Sequence, residues 1–422
     1  YVVMEGNTHI DEWGHVDGHS ALRDGSRVPA RRIWGGSPAV DRGEFDPASL
    51  PLRPVESRAQ AIGKNIYFVL GALFISVLFF MPLFPTFILV DYLDIDNLSV
   101  GALQRDGFVN GYDVFALRLI KYFLLALPAS VVMIVLTALL AAGIRWALLP
   151  KLKPGRYPVN GRVFLLKWLV NQIQESSLQV LHGVYATVFS STWYRLLGAR
   201  VGRDAEISTA LGVVPDMLTL GDEPVIADAV MLGDEHIDGG WMTVKPTVIA
   251  RRSFVGNGTY IPDGTELPEN VLIGVLSILP RSTQVKSGDT WLGSPPINLP
   301  ARETTQGFPE ELTYHPSPSR RLQRGLVETF RIVAPHSLVI AAGYAIVLDV
   351  MPIAGAGHWI YTIRELAVSG LLFGLATFLF VAFFKWVLLG RYRRCAVPMW
   401  TPFVWLSEAT TNMFEGIAVP NF

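Results

Sequence analysis

His236 stands in the segment LGDEHIDGGWMT (residues 232–243), with an aspartate two places away on either side, Asp234 and Asp238. An imidazole titrates near neutral pH, so it can take a proton from an attacking amine while a carboxylate orients its ring. That pairing suits acyl transfer to nitrogen; the alternative for His236 is a loop histidine bonded within its own turn. A second constellation, Ser208, Thr209 and Asp216, lies in EISTALGVVPDMLT (residues 206–219) and offers hydroxyls and a carboxylate to an amine or to the arm of an acyl carrier. A hydroxyl-rich corner and an ordinary turn acid would look the same. His9, His15 and His19 follow at spacings of six and four, and no cysteine or carboxylate pattern completes a metal site around them. All three are expected to be surface histidines. The sequence contains no GxxxxGK[ST], GxSxG or HExxH, so an ATPase, a serine hydrolase and a zinc protease have no support.

The elements that carry these residues follow a six-residue rhythm. Ile249, Val255, Ile261, Leu267, Ile273 and Leu279 recur at intervals of six, each followed by a small or turn residue. Leu220, Ile226 and Leu232 form an earlier run in another phase, and Val201 and Ile207 open the series. One inward aliphatic per six residues describes a triangular coil of short strands with small residues at its corners. The phase breaks, at 208–219 and 233–248, are then loops leaving the coil, and they hold both constellations. Met4, Ile10, Val16, Leu22 and Val28 repeat the rhythm at the start of the chain.

Only 17% of the residues are charged and the mean hydropathy is +0.36, against about 25% charged in soluble proteins. Four stretches, 65–90, 119–144, 332–354 and 366–389, have the roughly 20 apolar residues that a helix needs to cross a bilayer. Basic residues flank the coil-side ends: Arg53, Arg58 and Lys64; Arg145, Lys151, Lys153 and Arg156; Arg320, Arg321 and Arg324; Lys385, Arg391, Arg393 and Arg394. The 91–118 connection is acidic. Positive-inside places both termini and the coils in the cytoplasm, in a cell-membrane protein. The net charge of −1 gives no footprint for nucleic acid, and the single cysteine, Cys395, suits a reducing compartment.

The chain also repeats itself. Trp34-Gly35-Gly36-Ser37-Pro38 matches Trp291-Leu292-Gly293-Ser294-Pro295, and a basic linker and two spans follow each. RWALLPKLKPGRYPV (145–159) matches KWVLLGRYRRCAVPM (385–399), and the segment from His182 to Phe189 matches that from Glu415 to Phe422. The expected order is the end of a first coil (1–40), a transmembrane pair (65–90, 119–144), a complete coil with an amphipathic helical lead-in (161–300), a second pair (332–354, 366–389) and the start of a third unit (391–422). The lead-in, 161–192, would lie on the membrane or cover the open end of the coil.

WYRLLGARVGRDAEISTALGVVPDMLTLGDEPVIAD (193–228), RRSFVGNGTYIPDGTELPENVLIGVLS (251–277) and WLGSPP (291–296) together resemble the C-terminal membrane region of poly-ε-lysine synthetase and related single-module nonribosomal peptide synthetases. The resemblance covers nearly the whole chain and is specific in EISTA, PDMLT, GDE and W-x-G-S-P. It implies left-handed parallel β-helix domains alternating with pairs of transmembrane helices, and isopeptide-bond formation from a carrier-bound aminoacyl thioester. It implies ATP used by an adenylation domain and phosphopantetheine on a carrier, both upstream of Tyr1 and outside this chain. Its partners would be those domains and membrane lipid, with a homo-oligomer or an internal pseudo-trimer of coils. His236 would be the base, Asp234 and Asp238 its orienting acids, and Ser208, Thr209 and Asp216 the substrate contacts. HVDGHSALRDG (15–25) superficially resembles the HHxxxDG motif of condensation domains, but it lacks the paired histidines and keeps the six-residue rhythm. An acyl-CoA-dependent O- or N-acyltransferase and a non-catalytic scaffold or export conduit are the alternatives.

Overall fold

Inward aliphatics at six-residue spacing build a parallel coil. The computed structural model describes residues 2–94, 111–279, 285–300 and 307–418. In the second coil, strands of two to three residues stack parallel in three sheets, as Val201–Leu220–Ile249–Leu267, Ile207–Ile226–Val255–Ile273 and Leu211–Met231–Tyr260 show. Ile207, Leu220, Ile226, Leu232, Ile249, Val255, Ile261, Leu267 and Ile273 are all at most 2% exposed; Leu279, one rung before the exit, is half-buried. Burying an aliphatic side chain of this size stabilises by about 1.5–3 kcal/mol, so this stack is the core of the coil. Corners use left-handed backbone, at Asp204, Ala229, Arg252 and Asn270 among others. At Gly202 a Cβ would lie 2.2 Å from the Gly221 carbonyl oxygen, which is why the corner takes glycine.

The first coil pairs Val2–Met4 with Ser20–Leu22, His9–Ile10 with Arg27–Val28, and His15–Val16 with Ile33–Trp34. Leu22 and Val28 are buried, whereas Met4 and Ile10 are exposed. Both coils end in the same way. Trp34 and Trp291 each pair parallel with the preceding rung, then turn into an antiparallel strand through a cis Ser–Pro bond. The two exits meet: Ser37 N donates to Ser294 O over 2.8 Å.

The helices are α1 (Arg58–Leu78), α2 (Leu83–Leu93), α3 (Gly111–Leu148), α4 (Arg162–Leu181), α5 (Ser190–Leu197), α6 (Glu310–Thr313), α7 (Pro318–Gly355), α8 (Trp359–Leu388) and α9 (Pro402–Met413). Among the described residues, four stretches are long and apolar enough to cross a membrane: Arg58–Leu93, Leu119–Leu148, Glu310–Val347 and Trp359–Leu388. Much of their surface is apolar and unburied, as at Leu371, Leu372, Leu375 and Phe383, which is the face that lipid requires. The protein is a multi-pass membrane protein. The acidic connection expected at 91–118 falls largely outside the described residues, as does Phe422.

Contacts divide the chain into two units. Tyr1–Ala72, Ala141–Gln174 and Tyr185–Gly307 form one, which holds both coils. Within it, α5 covers the first rungs of the second coil, where Ser191 Oγ donates to Ala205 O and Tyr194 OH to Ala210 O. Val170 of α4 joins Leu149, Leu152, Val214, Met217, Met242 and Val244 in a separate core. Leu73–Leu140, Glu175–Val184 and Phe308–Phe422 form the other unit. There Ala126 and Ala129 of α3 meet Ile340 and Ala341 of α7, Ser130 and Ser337 share a hydrogen bond of 2.9 Å, and Tyr122 stacks on Tyr344. Small residues bring these helices close enough for that bond.

Candidate active site

The coil leaves its rhythm after Leu232. His236–Asp238 and Trp241–Val244 pair antiparallel around Gly239 and Gly240, both at positive φ, as a two-residue hairpin loop demands. The second strand also pairs with Gly155–Pro158, and Trp241 Nε1 donates to Leu52 O over 2.9 Å. The hairpin is therefore held on two sides, and it presents His236 on its outer strand. His236 Nε2 contacts Asp238 Oδ2, with both side chains about half exposed. Asp263, from a corner of the coil, joins them. Burial raises its pKa, and the charges of Lys245 and His236 act in the opposite direction, so all of them are within electrostatic reach. Asp263 Oδ2 is buried without a hydrogen-bond partner. An accessible imidazole with one carboxylate in contact and a second nearby can accept a proton and stabilise the resulting imidazolium.

Asp234 belongs elsewhere. It lies against Gly212, where a Cβ would come 2.6 Å from its carboxyl carbon, and it accepts from Glu235 N. Glu235 pairs with Lys167 of α4 at 2.6 Å, with the Lys167 side chain buried and that of Glu235 mostly covered. Burial, helped by a hydrogen bond and charge from Glu235, pushes the Asp234 carboxyl up to about 7. Burial also works to raise Glu235, but the Lys167 charge and the Asp234 hydrogen bond outweigh it and hold that carboxyl below its ordinary value. Asp216 is buried too. It pairs with Arg145, at the end of α3, over 2.5 Å, and accepts from Leu152 N. The Arg145 guanidinium lies 3.8 Å from the centre of the Trp146 ring. These two pairs fasten the phase-break loops to the helices α3 and α4.

Ser208 and Thr209 form a fourth group at a coil corner. Both donate to Asp228 Oδ1, Thr209 Oγ1 accepts from Ala229 N, and Asp228 N donates to Asn257 Oδ1. The six candidates thus fall into four groups: His236 with Asp238, Asp234 beside Glu235, Asp216 on Arg145, and Ser208 with Thr209 on Asp228. Sequence reasoning missed Arg145, Lys167, Glu235, Asp228, Lys245 and Asp263. The strings PDMLT and GDE signalled the acids, but nothing in them names partners on distant helices. One expectation is corrected: His9 and His15 are accessible, but His19 is only 9% exposed. Gly18 beside it approaches Tyr260 of the second coil, so the contact between the coils covers this stretch, and burial lowers the pKa of His19. Among the described residues no group of three or more His, Cys, Asp or Glu could hold a metal ion.

Fold and site together define a membrane protein that carries hexapeptide coils, with a histidine–aspartate pair on a hairpin of the second coil. No family model matches the chain. The delta-poly-L-ornithine synthetase of Acinetobacter baumannii (strain AB307-0294) is 48% identical to it over 423 residues, which is 100% of this chain and 31% of that protein. The chain belongs to this family of membrane-bound poly-amino-acid synthetases and spans about a third of the length of the curated relative it matches.

Proposed function

We propose that the chain is the amide-forming region of a poly-amino-acid synthetase, which joins an amine to an aminoacyl thioester presented by a carrier domain of the same polypeptide. The observation that carries this reading is the identity over the full chain to a protein named for making poly-ornithine. In the reaction the neutral amine attacks the thioester carbonyl, a C–N bond forms and the C–S bond breaks. His236 takes the proton from the amine nitrogen and passes it to the departing sulfur, while Asp238 orients the ring. The coils and both termini face the cytoplasm, where an ATP-using adenylation domain would load the carrier; the basic flanks of the spans support that orientation.

The test separates this reading from an acyl-CoA-dependent acyltransferase. The full-length protein in membranes is given either loaded carrier or an acyl-CoA, each with a primary amine, and the products are read by mass spectrometry. Amide formed from the loaded carrier alone supports the proposal. Transfer from acyl-CoA with none from the carrier overturns it.

A further inference from the structure

A groove of about 350 Å³ opens beside the start of Gly155–Pro158, the strand that pairs with the hairpin, lined by Lys151, Lys153, Arg200, Asp216, Leu152, Pro154, Met217, Thr219 and Pro246. Its charge is uneven. Lys151, Lys153 and Arg200 are exposed cations, while the one acid on its wall, Asp216, is already committed to Arg145 and to Leu152 N. The groove therefore presents uncompensated positive charge above an apolar wall of Leu152, Pro154, Met217 and Pro246, with the Thr219 hydroxyl between. Such a site takes a phosphate ester whose neighbouring carbon skeleton is branched and apolar.

We propose that this groove binds the phosphate end of the donor's phosphopantetheine arm, with the gem-dimethyl carbon against the apolar wall. The inference rests on the proposed function and adds to it the place where the donor docks. Position supports it. Pro246 of the groove lies three residues beyond Thr243, which is paired with His236 across the hairpin, and Pro154 directly precedes Gly155, the partner of Val244. Three residues of strand cover roughly 10 Å and neighbouring strands lie about 5 Å apart. The extended arm can span that distance, which brings its thioester to the imidazole while the phosphate stays on the lysines. The repeat keeps the charge: Lys151 and Lys153 correspond to Arg391 and Arg393 in the matching segment after α8.

The experiment uses the full-length protein in nanodiscs and measures binding of phosphopantetheine, pantetheine and glycerol 3-phosphate. Phosphopantetheine should bind about tenfold or more tighter than either of the others, since the phosphate supplies charge-assisted bonds and the pantoyl group the apolar contact. Lys151→Ala, Lys153→Ala and Arg200→Ala together should remove that preference, and the Lys→Arg pair should keep it. In turnover with a loaded carrier domain added in trans, the triple variant should raise KM for that carrier with kcat retained, whereas His236→Ala should lower kcat with phosphopantetheine binding intact, so failure of the two readings is distinguishable. Equal binding of phosphopantetheine and pantetheine, or an unchanged preference in the triple variant, overturns the proposal. So does loss of the preference in phosphatidylglycerol nanodiscs with its return in phosphatidylcholine, which would assign the groove to a lipid headgroup.

Discussion

Burial, with the hydrogen bond and charge of Glu235 added to it and against the opposing charge of Lys167, raises the pKa of the Asp234 carboxyl to about 7. Its folded pKa lies above the unfolded value of about 3.9, so the folded state holds the proton more tightly. The stability that this group contributes is full below the unfolded pKa and is lost as pH rises through about 7. Asp234→Asn should therefore flatten the fall in melting temperature between about pH 5 and 7.5, followed by tryptophan fluorescence in detergent. Parallel curves for variant and parent would contradict this. The Arg145–Asp216 pair offers a second test. Removing one partner strands a buried charge, so Asp216→Asn should cost about 3–5 kcal/mol, and the Arg145→Met/Asp216→Leu double variant markedly less. A double variant as unstable as the two single losses summed would contradict the pairing. These acids were visible in the strings PDMLT and GDE. Their partners were not, because Arg145 and Lys167 reach them only once α3 and α4 have packed on the coil.

At the level of elements the coil was the most legible feature. A six-residue rhythm leaves one inward position per strand, and Ile249, Val255, Ile261 and Ile273 occupy it with no measurable exposure. Ile261→Asp would place a carboxylate in that stack and should cost about 3 kcal/mol or more, seen as loss of folded protein in membranes. Full tolerance would argue against the coil. The apolar lengths also located the spans. The lead-in 161–192 was harder, since its amphipathic pattern fits a membrane surface or a coil end equally. It divides into α4, a 3-10 turn at His182–Val184 and the start of α5, and α5 covers the coil. The hairpin at 236–244 was legible as a break in rhythm, but its pairing with Gly155–Pro158 was not, because that contact joins segments far apart in sequence. Burial of His19 escaped for the same reason: it depends on a second coil, which the local pattern cannot see.

For the molecule as a whole, the duplication read from W-x-G-S-P reappears as two coils with the same antiparallel exit, joined by the Ser37–Ser294 hydrogen bond. The proposed orientation in the membrane rests on the basic flanks of the spans and is testable with the chain's one cysteine. Cys395 is exposed and lies on the basic side, so an impermeant thiol reagent should spare it in intact cells and label it after lysis. Ala356→Cys, in the short connection between α7 and α8 of a Cys395→Ser background, should label in intact cells; the reverse pattern would invert the topology. The central claim, that this region forms the amide with His236 as base, is tested most directly by measuring carrier loading and chain elongation separately in the full-length protein. An amine with pKa near 10 is mostly protonated at neutral pH, so the base should matter, and His236→Ala should slow elongation by about a hundredfold or more while loading continues at the parent rate. Elongation within a few-fold of the parent, with loading intact, would contradict that claim.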